Sequence, residues 1–378
     1  MENNTPKQEL NRCIKCKVSP CAKGCPLGLS PHDFISLALQ NEYTKAAELI
    51  RSQNPFAETC GKICPDTFCQ KKCLRGKIDF PLNIPSIQAH IAQKVPATKL
   101  SLPASNGKHI AIIGGGPAGL GACWQLLQYG YHVSIYEKEN KLGGALRLIP
   151  DYRLDKAILD KEISYITSNE RTTIYLNQEI TDFEHLKTTY DNIILALGEQ
   201  TPHTLRTQGE EYATPYKEVL KSPSNYTPDK VCVVGGGEVA LDCALTLKRQ
   251  GAKTVEMFVR RRQTDMKIMS KDFLSLKQEN ILIRELTSIT SIQKEADQTL
   301  TLNTIQNFIT EDNKSSPLLG TDNTLSGYNL VITALGSTCP NFLELSTFPT
   351  AGDMTKTTGT LVEALASGIK LAQTFKPQ

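Results

Sequence analysis

The chain has 378 residues, which is enough for two or three domains with sizeable cores. Its formal net charge is +3 at pH 7, a near balance that gives no indication of a nucleic-acid partner or of binding to a membrane surface. The polar N-terminus lacks the apolar segment of a signal peptide, and no apolar run approaches the roughly 18 residues of a membrane helix, so we expect a cytoplasmic protein without a membrane partner.

Cysteines are concentrated at the start of the chain, where eight of the twelve lie between Cys13 and Cys73. Without a secretory signal, disulfides are disfavoured and clustered cysteines indicate metal ligands. Three close cysteines and a fourth before proline are typical of iron–sulfur runs in which the fourth serves another cluster, whereas structural zinc usually shows paired C-x2-C knuckles. The pattern favours two [4Fe–4S] clusters, with zinc and disulfides as alternatives. The spacing is Cys13-x2-Cys16-x4-Cys21-x3-Cys25-Pro26 and Cys60-x3-Cys64-Pro65-x3-Cys69-x3-Cys73.

Helices are predicted between the two groups of cysteines. Apolar residues follow a helical spacing over residues 31–53, so two ligand loops flank helical segments. We therefore predict a helical iron–sulfur domain over residues 1–100. Residues 96–106 are polar and contain two prolines, which indicates a linker to the next domain.

A dinucleotide-binding unit is predicted after this linker. Residues 110–113 are an apolar run typical of a buried strand, and the following Gly114-Gly115-Gly116-Pro117-Ala118-Gly119 matches G-x-G-x-x-G. Such glycines allow a tight turn, close approach of the backbone to a pyrophosphate, and close packing of a helix whose N-terminus faces the phosphates. The next strand, 133–136, ends in Glu137, where an acid binds a ribose hydroxyl.

Further glycines of this unit lie at positions where a cofactor can approach. Lys138 follows the acid, and Gly143-Gly144 comes soon after it, either as a close approach to the cofactor or as a simple surface turn. The strand over 192–197 is stopped by Gly198.

A second unit of the same kind begins at Lys230. The strand 231–234 leads into Gly235-Gly236-Gly237-Glu238-Val239-Ala240, the G-x-G-x-x-A form of the motif. Its next strand, 254–259, ends in Arg260-Arg261-Arg262 and not in an acid. Arginine here suits the 2′-phosphate of NADP, often through a bidentate contact, and a solvated basic turn is the alternative interpretation.

The remaining sequence completes both nucleotide units. Residues 280–328 alternate strand-like runs with polar loops, which predicts a β-meander in the second unit. Residues 330–336 repeat the strand-then-glycine ending of 193–198, so we expect the chain to return to the first unit there. We predict an α/β fold in which two Rossmann-like domains follow the helical domain, with the second inserted in the first. The predicted boundaries are 101–200 with 335–378 for the outer domain and 201–334 for the inserted domain.

Nearly the whole chain resembles the family of the glutamate synthase small chain and the N-terminal part of dihydropyrimidine dehydrogenase. The resemblance is carried by the cysteine pattern, both glycine-rich motifs and several short motifs. It implies FAD on the first glycine-rich loop and NADPH on the second. The short motifs are Asn54-Pro55, Gly143-Gly144, Ile149-Pro150-x-Tyr152-Arg153-Leu154, Asp242, Ala334-Leu335-Gly336 and Ala351-Gly352-Asp353.

The resemblance also implies two [4Fe–4S] clusters whose ligands cross between the two cysteine groups. Counting alone makes Cys60 the eighth ligand, but the dihydropyrimidine dehydrogenase pattern uses a side-chain amide, which falls on Gln88. We follow that pattern. The predicted ligands are Cys13, Cys16, Cys21 and Cys73 for the first cluster and Cys25, Cys64, Cys69 and Gln88 for the second.

At the C-terminus, the resemblance implies that Asp353 contacts the ribityl–phosphate chain of FAD and that the helix after Thr358 points its N-terminus at the flavin ring. The segment 337–351 is shorter than in those relatives, and Pro349 argues for a sheet edge or a loop there. The predicted cofactor-binding residues are Gly114, Gly116, Pro117, Ala118, Gly119, Glu137, Lys138, Gly144, Leu146, Arg153, Gly198, Gly235, Gly237, Glu238, Val239, Arg260, Arg261, Gly336, Gly352, Asp353 and Thr360.

These features lead to the hypothesis of an electron-input subunit. NADPH would pass hydride to FAD, and single electrons would leave through the clusters to a partner catalytic subunit of the glutamate synthase or dihydropyrimidine dehydrogenase type. No acid–base pair or nucleophile stands out, which fits chemistry supplied by cofactors. One alternative is an NADPH–ferredoxin oxidoreductase. Another is a non-catalytic NADP(H) sensor with zinc or no metal, suggested by the shortened segment.

Overall fold

The computed structural model describes residues 4–199, 201–339, 347–355 and 359–377, so the shortened segment lies partly outside the described residues. The chain divides into two compact units. The first comprises Met1–Arg147, Asp151–Glu199 and Cys339–Gln378, and the second comprises Leu148–Pro150 and Gln200–Thr338. The second unit is therefore inserted in the sequence of the first.

Thirteen α-helices form within the described residues, and none of them has both the length and the apolar composition needed to cross a bilayer. They are α1 (Pro6–Asn11), α2 (Pro20–Gly24), α3 (Pro31–Leu39), α4 (Tyr43–Arg51), α5 (Ala57–Ile63), α6 (Ile84–Lys94), α7 (Pro117–Leu127), α8 (Lys156–Thr167), α9 (Phe183–Leu186), α10 (Tyr216–Lys221), α11 (Glu238–Arg249), α12 (Ser270–Gln278) and α13 (Leu361–Gln373).

The described residues also form fifteen strands, which together with the helices confirm the predicted α/β class. They are β1 (His109–Ile113), β2 (His132–Tyr136), β3 (Thr172–Tyr175), β4 (Asn192–Leu195), β5 (Thr201–Pro202), β6 (Thr214–Pro215), β7 (Lys230–Val234), β8 (Thr254–Val259), β9 (Leu282–Glu285), β10 (Thr287–Lys294), β11 (Leu300–Ile309), β12 (Ser315–Pro317), β13 (Asn323–Tyr328), β14 (Leu330–Thr333) and β15 (Ser337–Thr338).

Short helices α1–α6 build the N-terminal part of the first unit. The N-terminus of α1 is defined by a reciprocal capping box, which the Thr5 hydroxyl and the Gln8 side chain form there. The helices pack around Phe34, Ile50 and Ile87, which have no exposed surface. Helices of 5 to 11 residues are marginal alone, so this packing supplies most of their stability.

A parallel sheet of order β3-β2-β1-β4 forms the first nucleotide domain. Beyond β4, Thr350 forms a parallel bridge to Leu195, and the Ala351 N–H donates to the Leu195 carbonyl at 2.9 Å. Pro349 accepts a hydrogen bond from the Leu195 N–H at 2.9 Å. Pro349 thus lies at the sheet edge, where a residue without an N–H is tolerated.

Helices α7 and α13 approach each other through glycines. A Cβ atom on Gly368 would lie 1.9 Å from the Ala118 carbonyl oxygen, and one on Gly121 would lie 2.7 Å from the Leu365 carbonyl oxygen. Any larger residue would therefore push the helices apart. This contact fixes α13, late in the sequence, against the helix that follows the first glycine-rich loop.

The second unit contains a parallel sheet of order β6-β14-β7-β8-β9 and an antiparallel sheet in which β11 pairs with β10, β12 and β13. The antiparallel sheet lies within the strand-rich region predicted over 280–328, whose first strand, β9, belongs to the parallel sheet instead. Glu256 on β8 connects the sheets, because it accepts hydrogen bonds from Arg284 Nε at 2.5 Å and from the Tyr328 hydroxyl at 2.7 Å.

The second compact unit ends at Thr338, whereas the predicted limit of the inserted domain is residue 334. Strand β15 pairs with β5, and the Ser337 hydroxyl hydrogen-bonds the Tyr216 hydroxyl at 2.9 Å. These bonds explain why residues 335–338 group with the second unit, since a two-residue strand carries no periodic pattern that sequence alone could reveal.

A buried carboxylate joins the helical part of the first unit to its nucleotide domain. Glu162 on α8 is 7% exposed and accepts hydrogen bonds from the backbone N–H groups of Glu58 at 2.6 Å and Thr59 at 2.9 Å. These N–H groups open α5, where a negative charge is favourable. Burial nevertheless raises the pKa of Glu162 to about 7, and the backbone N–H donors offset only part of that effect.

We predict that Glu162→Gln makes the stability of the protein less dependent on pH. Because the folded-state pKa is raised, the stabilising contribution of the protonated Glu162 is fully present below the unfolded-state pKa of about 4.3 and is lost as the pH rises through about 7. Glutamine keeps an acceptor oxygen without a charge. The free energy of unfolding of the variant, relative to that of wild type, should therefore rise by up to about 3 kcal/mol between pH 5 and pH 8.

The measurement is denaturant unfolding across that pH range. Glu170→Gln, at an exposed carboxyl close in sequence, is the matched control and should follow the wild-type curve. Identical pH slopes for wild type and Glu162→Gln would contradict the assignment.

Candidate cofactor sites

The loop between β1 and α7 has the shape of a phosphate cradle. Gly114 has φ +108°, and a Cβ there would lie 2.3 Å from the Ala196 carbonyl oxygen. Gly119 is equally constrained, since its Cβ would lie 2.0 Å from the Gly114 carbonyl oxygen. A Cβ on Gly116 would meet no atom closer than 3.9 Å, so this glycine faces open space, as a pyrophosphate site requires. Pro117 and Ala118 form the first turn of α7.

Glu137 follows β2 directly and is 7% exposed. Its carboxylate accepts hydrogen bonds from the Gly115 N–H at 2.9 Å and the Glu139 N–H at 3.0 Å. The acid thereby fixes the glycine-rich loop as well as standing where a ribose would bind. Each carboxylate oxygen keeps acceptor capacity for a hydroxyl.

The other predicted residues of this region occupy turns around the sheet. Gly144 has φ +53°, and its Cβ would lie 2.9 Å from the Gly116 Cα, so the two glycine segments are in direct contact. Leu146 is buried in the 3-10 turn that follows, and Arg153 is half-buried. The remaining members are Lys138, whose ammonium lies 3.8 Å from the Glu179 carboxylate, and Gly198, which has φ +64°.

The C-terminal pieces of the predicted site lie in two different units. The N–H of Gly352 donates to the Ser367 hydroxyl at 3.0 Å, and Asp353 shares a 3-10 turn with it. Thr360 caps α13 by accepting from the Glu363 N–H at 3.4 Å. Gly336 lies in the second unit, whereas Thr358 lies outside the described residues.

The second glycine-rich loop repeats the first. Gly235 has φ +147°, and its Cβ would lie 2.3 Å from the Ala334 carbonyl oxygen, while Gly237 has no atom within 4 Å of its Cβ position. Glu238 and Val239 begin α11, and the Glu238 carboxylate accepts from the Met269 N–H at 3.3 Å. The loop therefore offers the same open glycine face at a helix N-terminus.

Arginine residues follow β8 directly, whereas an acid, Glu137, follows the corresponding strand β2. Arg260 is exposed and Arg261 half-buried. Neither guanidinium has a hydrogen bond or an ion pair with any residue that the structure describes. Two unpaired guanidinium groups at this position are suited to a phosphate monoester.

The cysteines of the N-terminal part fall into two groups. In the first, burial raises the pKa of Cys13, and the nearby thiols of Cys16 and Cys73 raise it further. Burial also raises the pKa of Cys21, with Cys73 again adding to the effect. The structure thus brings Cys73 to the cysteines at the start of the chain.

The second group lines one cavity. Cys25, Cys64 and Cys69 share it with Gln88 and with Val362, which lies in the first turn of α13. Burial raises the pKa of Cys69 to about 12, and the thiol of Cys25 contributes to the shift. We call this space the cysteine cavity.

Cys60 and Gln88 both line the cysteine cavity but are oriented by different bonds. The Cys60 Sγ lies 3.7 Å from the Asn54 Oδ1, to which it donates. The Gln88 Nε2 donates to the Ala57 carbonyl at 2.7 Å, which leaves the amide oxygen as the free end of that side chain.

The spacing of these side chains differs from that of a mononuclear metal site. Among the described residues, no three His, Cys, Asp or Glu side chains are close enough to bind one metal ion. Zinc needs its ligands at about 2.0–2.3 Å from a single ion. A four-iron cluster instead spreads its thiolates over four metal atoms.

Two residues that shape these sites were not predicted from the sequence. Glu162 sits on the apolar face of α8 with Leu159 and Ile166, and an acid at such a position is the signal that could have found it. Val362 gave no signal, because an apolar residue in a helix does not reveal which cavity it lines.

Comparison with known families accounts for both parts of the chain. A family described as dihydropyrimidine dehydrogenase domain II, 4Fe-4S cluster, matches residues 1–100. The pyridine nucleotide-disulphide oxidoreductase family matches residues 108–349. The chain belongs to the pyridine nucleotide-disulphide oxidoreductase family. It is an NAD(P)H-dependent flavin and iron–sulfur oxidoreductase, which confirms the resemblance seen in the sequence.

Two named relatives are similar to this oxidoreductase in sequence. It is 32% identical to the NAD-dependent dihydropyrimidine dehydrogenase subunit PreT of Salmonella typhimurium, over 71% of this chain and 68% of the relative. It is 29% identical to the glutamate synthase [NADPH] small chain of Mycobacterium tuberculosis, over 68% and 58% respectively. Both relatives are by name parts of larger enzymes.

A solved structure shares the fold of this chain. Thioredoxin reductase from T. acidophilum superposes with a TM-score of 0.56 at 17% identity, covering 71% of this chain and 98% of that protein. At this identity the likeness concerns the fold alone.

Proposed function

We propose that this oxidoreductase is an electron-input component that binds FAD in the first unit, NADPH in the second and two [4Fe–4S] clusters in its helical part. When bound, these groups supply hydride transfer from NADPH to FAD and single-electron transfer to a partner. The observation that carries the proposal is the cysteine cavity, because Cys25, Cys64 and Cys69 share it with Val362 of α13. The resemblance assigns the N-terminus of that helix to the flavin ring.

The residues of the nucleotide loops have binding and orienting roles. Open glycine faces at Gly116 and Gly237 support pyrophosphate binding at the N-termini of α7 and α11. Glu137 would hold the FAD ribose, whereas Arg260 and Arg261 would hold the 2′-phosphate of NADPH. The difference between the acid and the arginines assigns one nucleotide to each loop.

The crossed ligand set is supported by the two thiol groups. We propose that Cys73 completes the first cluster and that Gln88 supplies an amide oxygen to the second. The bond of Cys60 to Asn54 and the anchored Nε2 of Gln88 favour Gln88 over Cys60 as the eighth ligand.

The described part of the shortened segment supports a functional FAD site. Ala351 remains bonded to β4, and Gly352 remains bonded to Ser367 on α13. These contacts keep the C-terminal turn against β4 and α13, which supports an enzyme over the sensor alternative. The names of the relatives support a protein partner that accepts the electrons, either a catalytic subunit or a ferredoxin, and we propose a cytoplasmic location.

The first test is an anaerobic visible spectrum of the purified protein before and after one equivalent of NADPH. We expect flavin bands over a broad iron–sulfur shoulder and bleaching of the flavin band on reduction. A colourless protein whose iron stays absent after anaerobic reconstitution would overturn the proposal.

We predict that replacing Arg260 and Arg261 together with Ala raises KM for NADPH at least about tenfold, because each charge-assisted bond to phosphate is worth roughly 1.5–3 kcal/mol. KM for NADH should change less than about threefold, since NADH has no 2′-phosphate. Arg262→Ala is the matched control, and steady-state kinetics with both nucleotides is the measurement. Equal losses for NADPH and NADH would refute the assignment.

We also predict that Cys60→Ala keeps the full iron content, whereas Cys64→Ala loses about half of it because one of two clusters is lost. Gln88→Ala should alter the EPR spectrum of one reduced cluster, since the ligand atom at one iron changes. Iron analysis and EPR on the anaerobic proteins provide the measurement. If Cys60→Ala loses iron and Gln88→Ala has the wild-type spectrum, Cys60 is the ligand.

A further inference from the structure

The charge of this protein is concentrated on two segments of its helical part. Residues 12–25 and 71–81 contain eight basic residues and one acidic residue, a net charge of +7, although the whole chain carries only +3. The rest of the chain is therefore net acidic. We call these two segments together the lysine face.

Ion pairs hold the two segments of the lysine face together. Arg12 bonds the Asp79 carboxylate at 3.0 Å and the Phe80 carbonyl at 2.6 Å. Arg75 bonds the same carboxylate through Nε at 2.7 Å. The thiol of Cys73 lies near that of Cys13, so both segments meet at the first cysteine group.

The two arginines are thus engaged within the face, and the lysines are not. All six lysines are exposed, and none has an ion pair with any described residue. Their charges are available to a partner. They are Lys15, Lys17, Lys23, Lys71, Lys72 and Lys77.

Large apolar side chains are exposed among these lysines. Ile14 is 42% exposed, Val18 62%, Ile78 65% and Phe80 61%. Four large exposed apolar residues thus lie in the same two segments as the exposed lysines, and exposed apolar and charged residues together are a composition that marks protein–protein contact sites.

A groove of about 480 Å³ opens on the lysine face. Lys71, Lys72 and Lys77 line it together with Leu74 and Cys73. Cys73 belongs to the first thiol group, so the groove brings a bound partner next to the cluster proposed there.

We propose that the lysine face is the electron-exit docking surface and that its occupant is a separate, acidic iron–sulfur carrier protein of the ferredoxin class. This inference rests on the proposed function, because a one-electron acceptor is needed only if the clusters are present. Opposite charge steers such a partner and fixes its orientation.

The richness in lysine favours a reversible partner over a permanent one. Lysine is depleted in the cores of protein interfaces, and permanent interfaces are large and apolar. Redox encounters are small and electrostatically steered. Six unpaired lysines on the lysine face, three of which line its groove, match the second kind of contact.

The test measures binding of a purified acidic [2Fe–2S] ferredoxin to the anaerobic holoprotein by calorimetry. We compare wild type with the triple variant Lys71→Glu/Lys72→Glu/Lys77→Glu at about 10 mM and about 150 mM salt, where the Debye lengths are about 30 Å and 8 Å. The matched control reverses three exposed lysines elsewhere in the first unit, Lys99→Glu/Lys108→Glu/Lys161→Glu.

At low salt, we expect the substitutions in the lysine-face variant to raise the Kd for ferredoxin at least about tenfold. The control variant should raise it less than about twofold. Wild-type affinity should fall as salt rises. No ferredoxin binding by wild type at low salt, or equal weakening in both variants, would overturn the proposal. If the Glu variant loses iron, the Lys71→Gln/Lys72→Gln/Lys77→Gln variant replaces it and should weaken binding to a smaller degree.

The spectra with NADPH separate this inference from the proposed function. Bleaching in all variants, with ferredoxin binding lost only in the lysine-face variant, supports both. A wild type that binds ferredoxin through the lysines but is not bleached by NADPH refutes the proposed electron input and leaves the docking surface supported.

Discussion

Burial of thiols is the constraint on which the helical part of this oxidoreductase depends. Cys69 belongs to the core of that part, and Cys13, Cys21, Cys25 and Cys73 pack against the same core. Burial raises the pKa of Cys69 to about 12, so the thiol is protonated at neutral pH when no metal is bound. Metal binding must release these protons, and the free energy of cluster binding then becomes folding free energy for helices too short to be stable alone.

The cofactor preferences proposed for the two nucleotide units depend on only a few residues. Both units place at a helix N-terminus a glycine whose Cβ position has no atom closer than 3.9 Å, and both use another glycine where a Cβ would collide with the carbonyl oxygen of the residue that follows a parallel strand. They differ at the end of the next strand. Glu137 accepts backbone hydrogen bonds from the glycine-rich loop and from Glu139, whereas the guanidinium groups of Arg260 and Arg261 have no hydrogen bond or ion pair with the described residues. On the proposed assignment, the common scaffold binds a dinucleotide and the residue after the strand selects which one.

Local patterns predicted the local structure. The apolar runs before both glycine-rich motifs are strands, and the helical spacing over residues 31–53 gives α3 and α4. Contacts distant in sequence left no such trace. The pairing of β15 with β5 extends the inserted unit, and Glu162 caps α5 from another domain, because both depend on which segments meet after folding. The ligand assignment and the exact domain limits remain predictions for the same reason.

The position of Val362 has a consequence for how the protein is made. The cysteine cavity is lined mainly by residues of the helical part, yet one wall comes from α13, which is synthesised after the whole inserted unit. During synthesis the helical part can fold early, since domains generally fold in order from the N-terminus. Its second thiol group then stays open to water and oxygen until α13 has been synthesised. Slow synthesis of the inserted unit would lengthen that exposure, so oxidative damage at this site depends on translation speed as well as on the folded structure.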